Sequence, residues 1–158
     1  MMDKHDRRNI LESIDIDVPV TTAYNQWTQF EDFSAFMEGV ECVEQLDERR
    51  LRWKAEIGGK RIEWDAEITE QIPDQRIAWR STSGSTNAGV VTFHRLSDSR
   101  CRVTLQIEYQ PEGFTEKGGD LLGIVESRTR GDLTRFKRFL ESRGTESGAW
   151  RGEIPAPR

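Results

Sequence analysis

LRWKAEIGGKRIEWDAEI, residues Leu51–Ile68, is the stretch on which the fold turns. Leu51, Trp53, Ala55 and Ile57 alternate with Arg52, Lys54 and Glu56. Beyond Gly58-Gly59, Ile62, Trp64, Ala66 and Ile68 alternate with Arg61, Glu63, Asp65 and Glu67. A period of two marks a strand with one dry face, and a Gly-Gly dipeptide supplies the backbone freedom of a tight hairpin turn. The two strands are therefore antiparallel, with tryptophans on one face and charges on the other.

The same pattern extends in both directions. Upstream, Val40–Leu46 forms a strand closed by a turn at Asp47 and Glu48. Downstream, Pro73-Asp74 turns the chain into Ile77, Trp79, Ser81 and Ser83, alternating with Arg76, Ala78, Arg80 and Thr82. A polar loop from Gly84 to Asn87 leads to a strand over Val90–Leu96, and Ser97–Ser99 turns into Val103, Leu105, Ile107 and Tyr109. The first strand runs from Asn9 to Val18 through Ile10, Ile14 and Ile16. Loops this short join antiparallel neighbours, because a parallel pair needs a crossover of about a dozen residues.

Two departures from period two frame the sheet. After Pro19, Thr21 or Thr22 is placed to cap a short helix through Trp27, and a second short helical stretch covers Glu31–Phe36. Past Pro111, Leu121, Leu122, Val125, Leu133, Phe136, Phe139 and Leu140 fall at helical spacing, which predicts one long helix over Gly118–Ser142. The fold class is α+β: a seven-stranded curved antiparallel sheet, two short helices after its first strand, and a long C-terminal helix in its concave face. Residues 1–8 read as a charged leader, 9–143 as a single domain and 144–158, with three glycines and two prolines, as a flexible tail. Trp150 in GAWRGEI is unusual for such a tail and pins it to the body, meets a second subunit in a homodimer, or stands alone and exposed.

Composition removes several classes of function. Acidic and basic residues interleave to a net charge of -5, so no basic face for nucleic acid is expected. The leader has no apolar stretch of a signal peptide and no window approaches a membrane span, which predicts a cytoplasmic protein without integral membrane association. Cys42 and Cys101 lie outside any CxxC pattern, and His5 and His94 are far apart; neither a metal site nor a cofactor is expected.

Trp53, Trp64, Trp79 and Phe93 share the dry face of four successive strands. At roughly 200 Å² per ring and about 25 cal/mol per Å², the three tryptophans represent gross burial on the order of 15 kcal/mol. Only the long helix is apolar enough to cover them, and its smaller residues Gly123, Thr129 and Gly131 leave room for a cavity. The tryptophans either stack on a planar ligand or serve as plain core. Ser81, Ser83 and Tyr109 carry hydroxyls toward strand ends, where they orient a ligand carbonyl or meet water at the rim. Val125, Arg128 and Thr129 lie along the apolar stripe of the helix, Arg128 either binding an anionic group at the mouth or snorkelling over the apolar edge. Asn87 serves its turn or touches a ligand. His94 has the parity of the outer face, which leaves the interior without an evident general base.

Several stretches carry a family resemblance: FSAFMEGV at Phe33–Val40, Trp53–Glu67 with its Gly58-Gly59 turn, EQIPDQRIAWRS at Glu70–Ser81, Gly89–Leu96, YQPEG at Tyr109–Gly113 and GDLLG at Gly119–Gly123. Together they resemble the polyketide cyclase/dehydrase-like family of the START and birch-allergen-like (SRPBCC) superfamily. The resemblance implies the helix-grip fold and an internal cavity for apolar ligands. It does not imply one function, since the same fold serves lipid carriers, cyclases and quinone-binding proteins.

Three readings follow. The first is binding of a small hydrophobic molecule, polyketide-, lipid- or quinone-like, in contact with Trp53, Trp64, Trp79, Ser81, Phe93, Tyr109, Val125, Arg128 and Thr129. The second is an aromatic polyketide cyclase or dehydratase, which requires a titratable group inside. The third is a structural or partner-binding module.

Overall fold

The computed structural model describes residues 8–84, 86–110 and 118–157. Its strands are β1 (Arg8–Ile16), β2 (Val40–Gln45), β3 (Arg50–Ile57), β4 (Lys60–Ile72), β5 (Arg76–Gly84), β6 (Thr86–Ser97) and β7 (Arg100–Gln110). They form one antiparallel sheet in the order β1-β7-β6-β5-β4-β3-β2. Six consecutive strands thus make a meander, and β1 closes onto its last member. Helix α1 (Val20–Trp27) and a 3-10 helix (Phe30–Ala35) carry the chain from β1 at one edge to β2 at the other.

Turn chemistry sets the registers. Gly58 and Gly59 both have positive φ, 61° and 81°, as a two-residue hairpin turn of the primed type demands, and they pair Ile57 with Lys60. Trp53 consequently faces Trp64 across β3 and β4. Asp74 takes φ 63° in the β4–β5 turn, a conformation that aspartate tolerates better than most residues. A register shift between Asp65 and Ala66 in the β4–β5 pairing sets Ser81 opposite Ala66 but Ser83 opposite Asp65. The bulge moves Ser83 from the expected inner register to the exposed outer one.

The long helix, α2 (Gly118–Arg143), is fixed to both rims of the curved sheet. Toward β1, Arg130 pairs with Glu12 at 3.2 Å, Lys137 donates to the Asp15 carbonyl at 3.0 Å, and the Asp17 amide donates to Glu141 at 2.8 Å. Toward the opposite rim, Arg135 donates to the Phe36 carbonyl at 2.8 Å, and Arg128 pairs with the Glu56 carboxylate at 3.2 Å. Leu133, Phe136 and Leu140 are buried against the sheet.

Two expectations are corrected. The residue capping α1 is Pro19, whose carbonyl accepts from the Thr22 and Ala23 amides, whereas the Thr21 hydroxyl donates to Asp74. Residues 144–157, read as a flexible tail, run back across α1. The reason lies in α1 itself, which presents Asn25, Gln26 and Thr28 as buried polar side chains that need partners. Ser147 N–H donates to Gln26 at 2.8 Å, Trp150 N–H to Thr28 at 3.1 Å, and Arg151 bridges Asn25 and Asp74 at 2.8 and 2.7 Å. Ile154, 3 % exposed, then exchanges two 2.8 Å backbone hydrogen bonds with Gln71 of β4. Of the leader expected over residues 1–8, all but Arg8, which opens β1, lies outside the described residues.

Candidate functional site

Between the sheet and the N-terminal part of α2 lies a cavity of about 170 Å³. An apolar cavity of roughly 150 Å³ is enough to take up benzene, so this space suits a molecule of one or two rings. Trp27, Phe30, Phe33, Met37 and Val40 form one wall; Leu51, Trp53 and Ile57 of β3 and Ile62, Trp64 and Ile68 of β4 form the next. Ile77 and Trp79 of β5, Asn87 of β6 and Leu105, Ile107 and Tyr109 of β7 continue the sheet wall, and Val125, Thr129 and Asp132 of α2 face it.

The tryptophans are held by their cross-strand neighbours. Trp53 and Trp64 stack with ring centroids 5.5 Å apart and planes 7° from parallel, and Phe33 tilts against Trp53 at 5.7 Å. Trp79 stands opposite Gly89 of β6. A Cβ on Gly89 would lie 2.6 Å from Trp79 Cζ2, so the missing side chain is what lets this ring lie flat on the sheet. The Trp79 indole N–H points to Asn87 Oδ1 at 3.4 Å, while the buried Trp53 indole N–H has no hydrogen-bond partner among the described residues.

Three further polar groups border the space. Thr129 turns its hydroxyl back onto the Val125 carbonyl at 2.8 Å, which leaves its methyl for the cavity. Burial pushes the Tyr109 phenol above its ordinary pKa. Asp132 is the acidic member of the lining: burial pushes its carboxyl up, against hydrogen bonds from Arg135 at 2.5 Å and the Glu38 amide at 2.9 Å. Acidic residues were expected on the outer face, with no evident general base and hence no carboxyl in the interior. Asp132 supplies one because it follows Val125 by seven positions and Thr129 by three, on the same helix face.

Of the residues singled out in the sequence, Trp53, Trp64, Trp79, Tyr109, Val125 and Thr129 meet around the cavity. Ser81, Phe93 and Arg128 are not in its lining. Ser81 accepts the Asn87 amide at 3.0 Å and so closes the β5–β6 connection. Phe93 packs edge-on against Tyr24 and Trp27 at 5.3 and 6.3 Å, deeper in the fold. Arg128 is spent on Glu56, donating to both its carbonyl and its carboxylate. Gly123 is exposed, and the Arg135 guanidinium lies over Gly131, so Thr129 alone of the three small helix residues opens space toward the sheet. His94 is exposed, in keeping with its outward parity.

Besides Asp132 and aliphatic residues of the strands' dry face, the lining residues that sequence reasoning left out come from the linking segment: Trp27, Phe30, Phe33 and Met37. Their signal was present as an aromatic at every third position, Trp27, Phe30, Phe33 and Phe36, the spacing of a 3-10 helix whose side chains eclipse on one face.

Residues 16–138 match the model of a family described as polyketide cyclase/dehydrase and lipid transport. The chain belongs to that family. A relative from Streptomyces lincolnensis, an uncharacterized 17.2 kDa protein, is 55% identical over 144 residues, covering 90% of this chain and 96% of its own. Among solved structures, a Deinococcus radiodurans protein is 28% identical with a TM-score of 0.68, over 87% of this chain and 98% of that one. The Zhui aromatase/cyclase of a Streptomyces species superposes with a TM-score of 0.78 at 16% identity, over 91% and 99% of the two chains. At that identity the likeness is one of fold.

Proposed function

We propose that this protein holds a small, largely planar hydrophobic molecule in the cavity between the sheet and α2. The observation that carries this reading is the aromatic lining itself: four of the five tryptophans border an open space of about 170 Å³ in place of filling it. An ordinary core packs to the density of an organic crystal and has no reason to leave such a volume beside its largest side chains. A ring-bearing guest would gain both area burial and stacking on Trp53, Trp64 and Trp79. Of the remaining sequence candidates, Ser81 and Phe93 then act at one remove, Ser81 by setting the Asn87 backbone and Phe93 by supporting Trp27, while Arg128 ties α2 to Glu56 of β3.

The test is titration with tetralin, a two-ring hydrocarbon, followed by calorimetry on the wild type and on Thr129→Trp, which fills the cavity from the helix side. Saturable binding lost in the variant is expected. Equal binding by both proteins, or none by either, contradicts the proposal.

A second reading, an aromatic cyclase or dehydratase, draws support from Asp132. A buried carboxyl with a raised pKa is suited to moving a proton beside a bound ketone. On this reading the wild type converts a model poly-β-ketone and Asp132→Asn does not, although the variant still binds tetralin. Absence of turnover by the wild type removes this reading and leaves the first.

A further inference from the structure

Asp132 borders the cavity with one of its two carboxylate oxygens uncommitted. The Glu38 amide donates to Oδ1 at 2.9 Å and the Arg135 guanidinium to the same atom at 2.5 Å, while Oδ2 accepts no hydrogen bond among the described residues. The side chain keeps 16 % of its surface exposed, and the sealed polar atoms without a partner are Trp53 Nε1 and Gln71 Oε1, so Asp132 Oδ2 remains open to an incoming group. Two features of the surroundings decide which group suits it. The first is charge. The described lining holds this carboxylate and no lysine, arginine or histidine. Arg135 is shared with the Phe36 carbonyl, and Arg128 is paired with Glu56. Burial holds the Asp132 carboxyl above its ordinary pKa in spite of its two donors, as expected of a charge only partly compensated. The second feature is the aromatic wall. Trp53, Trp64, Trp79 and Phe33 border the same space, and the face of an aromatic ring carries the negative part of its quadrupole. A carboxylate and aromatic rings around one apolar space favour a cation and disfavour an anion.

We infer that the natural occupant is a hydrophobic amine, a compound of one or two rings bearing a protonated nitrogen that donates to Asp132 Oδ2 while its rings lie against the tryptophans. This rests on the cavity being a binding site and adds to it the charge of the guest. A hydrocarbon of the same shape leaves Oδ2 without a donor, and a carboxylate of the same shape sets like charges against each other.

The experiment compares three compounds on one skeleton, 2-aminotetralin, tetralin and tetralin-2-carboxylate, at about pH 8, where an alkyl ammonium and a carboxylate are both charged. Calorimetry gives their affinities for the wild type and for Asp132→Asn, which removes the charge and keeps a carbonyl oxygen for the Glu38 amide. The wild type should bind the amine at least about tenfold more tightly than the carboxylate, and tetralin should displace the amine. In the variant the amine should weaken about tenfold and tetralin hold within about twofold, because only the amine uses Oδ2. The wild-type ranking is read without the variant, so poor folding of Asp132→Asn does not shield the inference. Equal binding of amine and carboxylate by the wild type, amine binding that tetralin does not displace, or an amine-to-tetralin affinity ratio unchanged in the variant overturns the inference and leaves the cavity reading standing. Failure of the wild type to bind any of the three overturns both.

Discussion

Where α1 covers the sheet, Tyr24 and Trp27 set their edges against Phe93, and Trp27 meets Phe136 at 5.0 Å, in a cluster of side chains that are each less than 5 % exposed. Farther along the same strands, toward the N-terminal part of α2, residues of equal bulk surround open space. The difference arises from what faces the sheet. The C-terminal part of α2 offers Leu133, Phe136 and Leu140, and the returning tail adds Ile154 behind α1. The N-terminal part offers Val125, Thr129 and Asp132, too short to reach the tryptophans. One end of the grip is built as core and the other as container.

If that division is real, equal truncations must cost unequal amounts. Phe136→Ala at the filled end should lower stability by about 3–5 kcal/mol, the cost of a large buried aromatic. Trp64→Ala at the hollow end should cost only about 1–2 kcal/mol, because one side of its ring already lacks protein neighbours. Urea denaturation gives both numbers, and similar losses would erase the distinction.

Gly89→Ala sharpens the same contrast by acting from the strand. The added methyl meets Trp79 and the Gln106 carbonyl, each at 2.6 Å, so the indole must tilt into the cavity. A destabilisation of about 1–3 kcal/mol is expected, together with weaker tetralin binding. Unchanged binding would show that Trp79 does not shape the space.

The smallest effect concerns how the tail is fastened at the filled end. The Arg151 guanidinium beside Asp74 holds that carboxyl below its ordinary pKa, aided by the Thr21 hydroxyl and opposed by burial. A depressed carboxyl contributes stability above its unfolded pKa and loses it as the pH falls through the lower folded value. The stability difference between the wild type and Arg151→Ala, at most about 1 kcal/mol near pH 7, should therefore shrink below about pH 3.9. A difference independent of pH would mean that the ion pair does not fasten the tail.

Most of the architecture was legible because its signals are local. Alternation over Leu51–Ile68 and the Gly58-Gly59 turn specify a hairpin without reference to the rest of the chain, and the stripe from Val125 to Leu140 specifies a helix. The candidate site was legible where it continued those patterns, at Trp53, Trp64, Trp79, Tyr109, Val125 and Thr129. It was not legible where long-range contacts intervene. The bulge near Ala66 redirects Ser83, Glu56 claims Arg128, and the tail is held by partners on α1 more than a hundred positions earlier. Asp132 was hidden for another reason. Helical charges are usually solvated, and only the position of the Phe36–Gly39 segment over this part of α2 turns its carboxylate into a buried group.

The central claim, that the hollow end receives a hydrophobic guest and the filled end does not, is tested most directly by following the indole N–H signals of the five tryptophans by ¹⁵N-resolved nuclear magnetic resonance during titration with tetralin. The account predicts that the signals of Trp53, Trp64 and Trp79 shift saturably while that of Trp150, on the tail across α1, stays in place. Movement of Trp150 alone, or no movement at saturating tetralin, would contradict it.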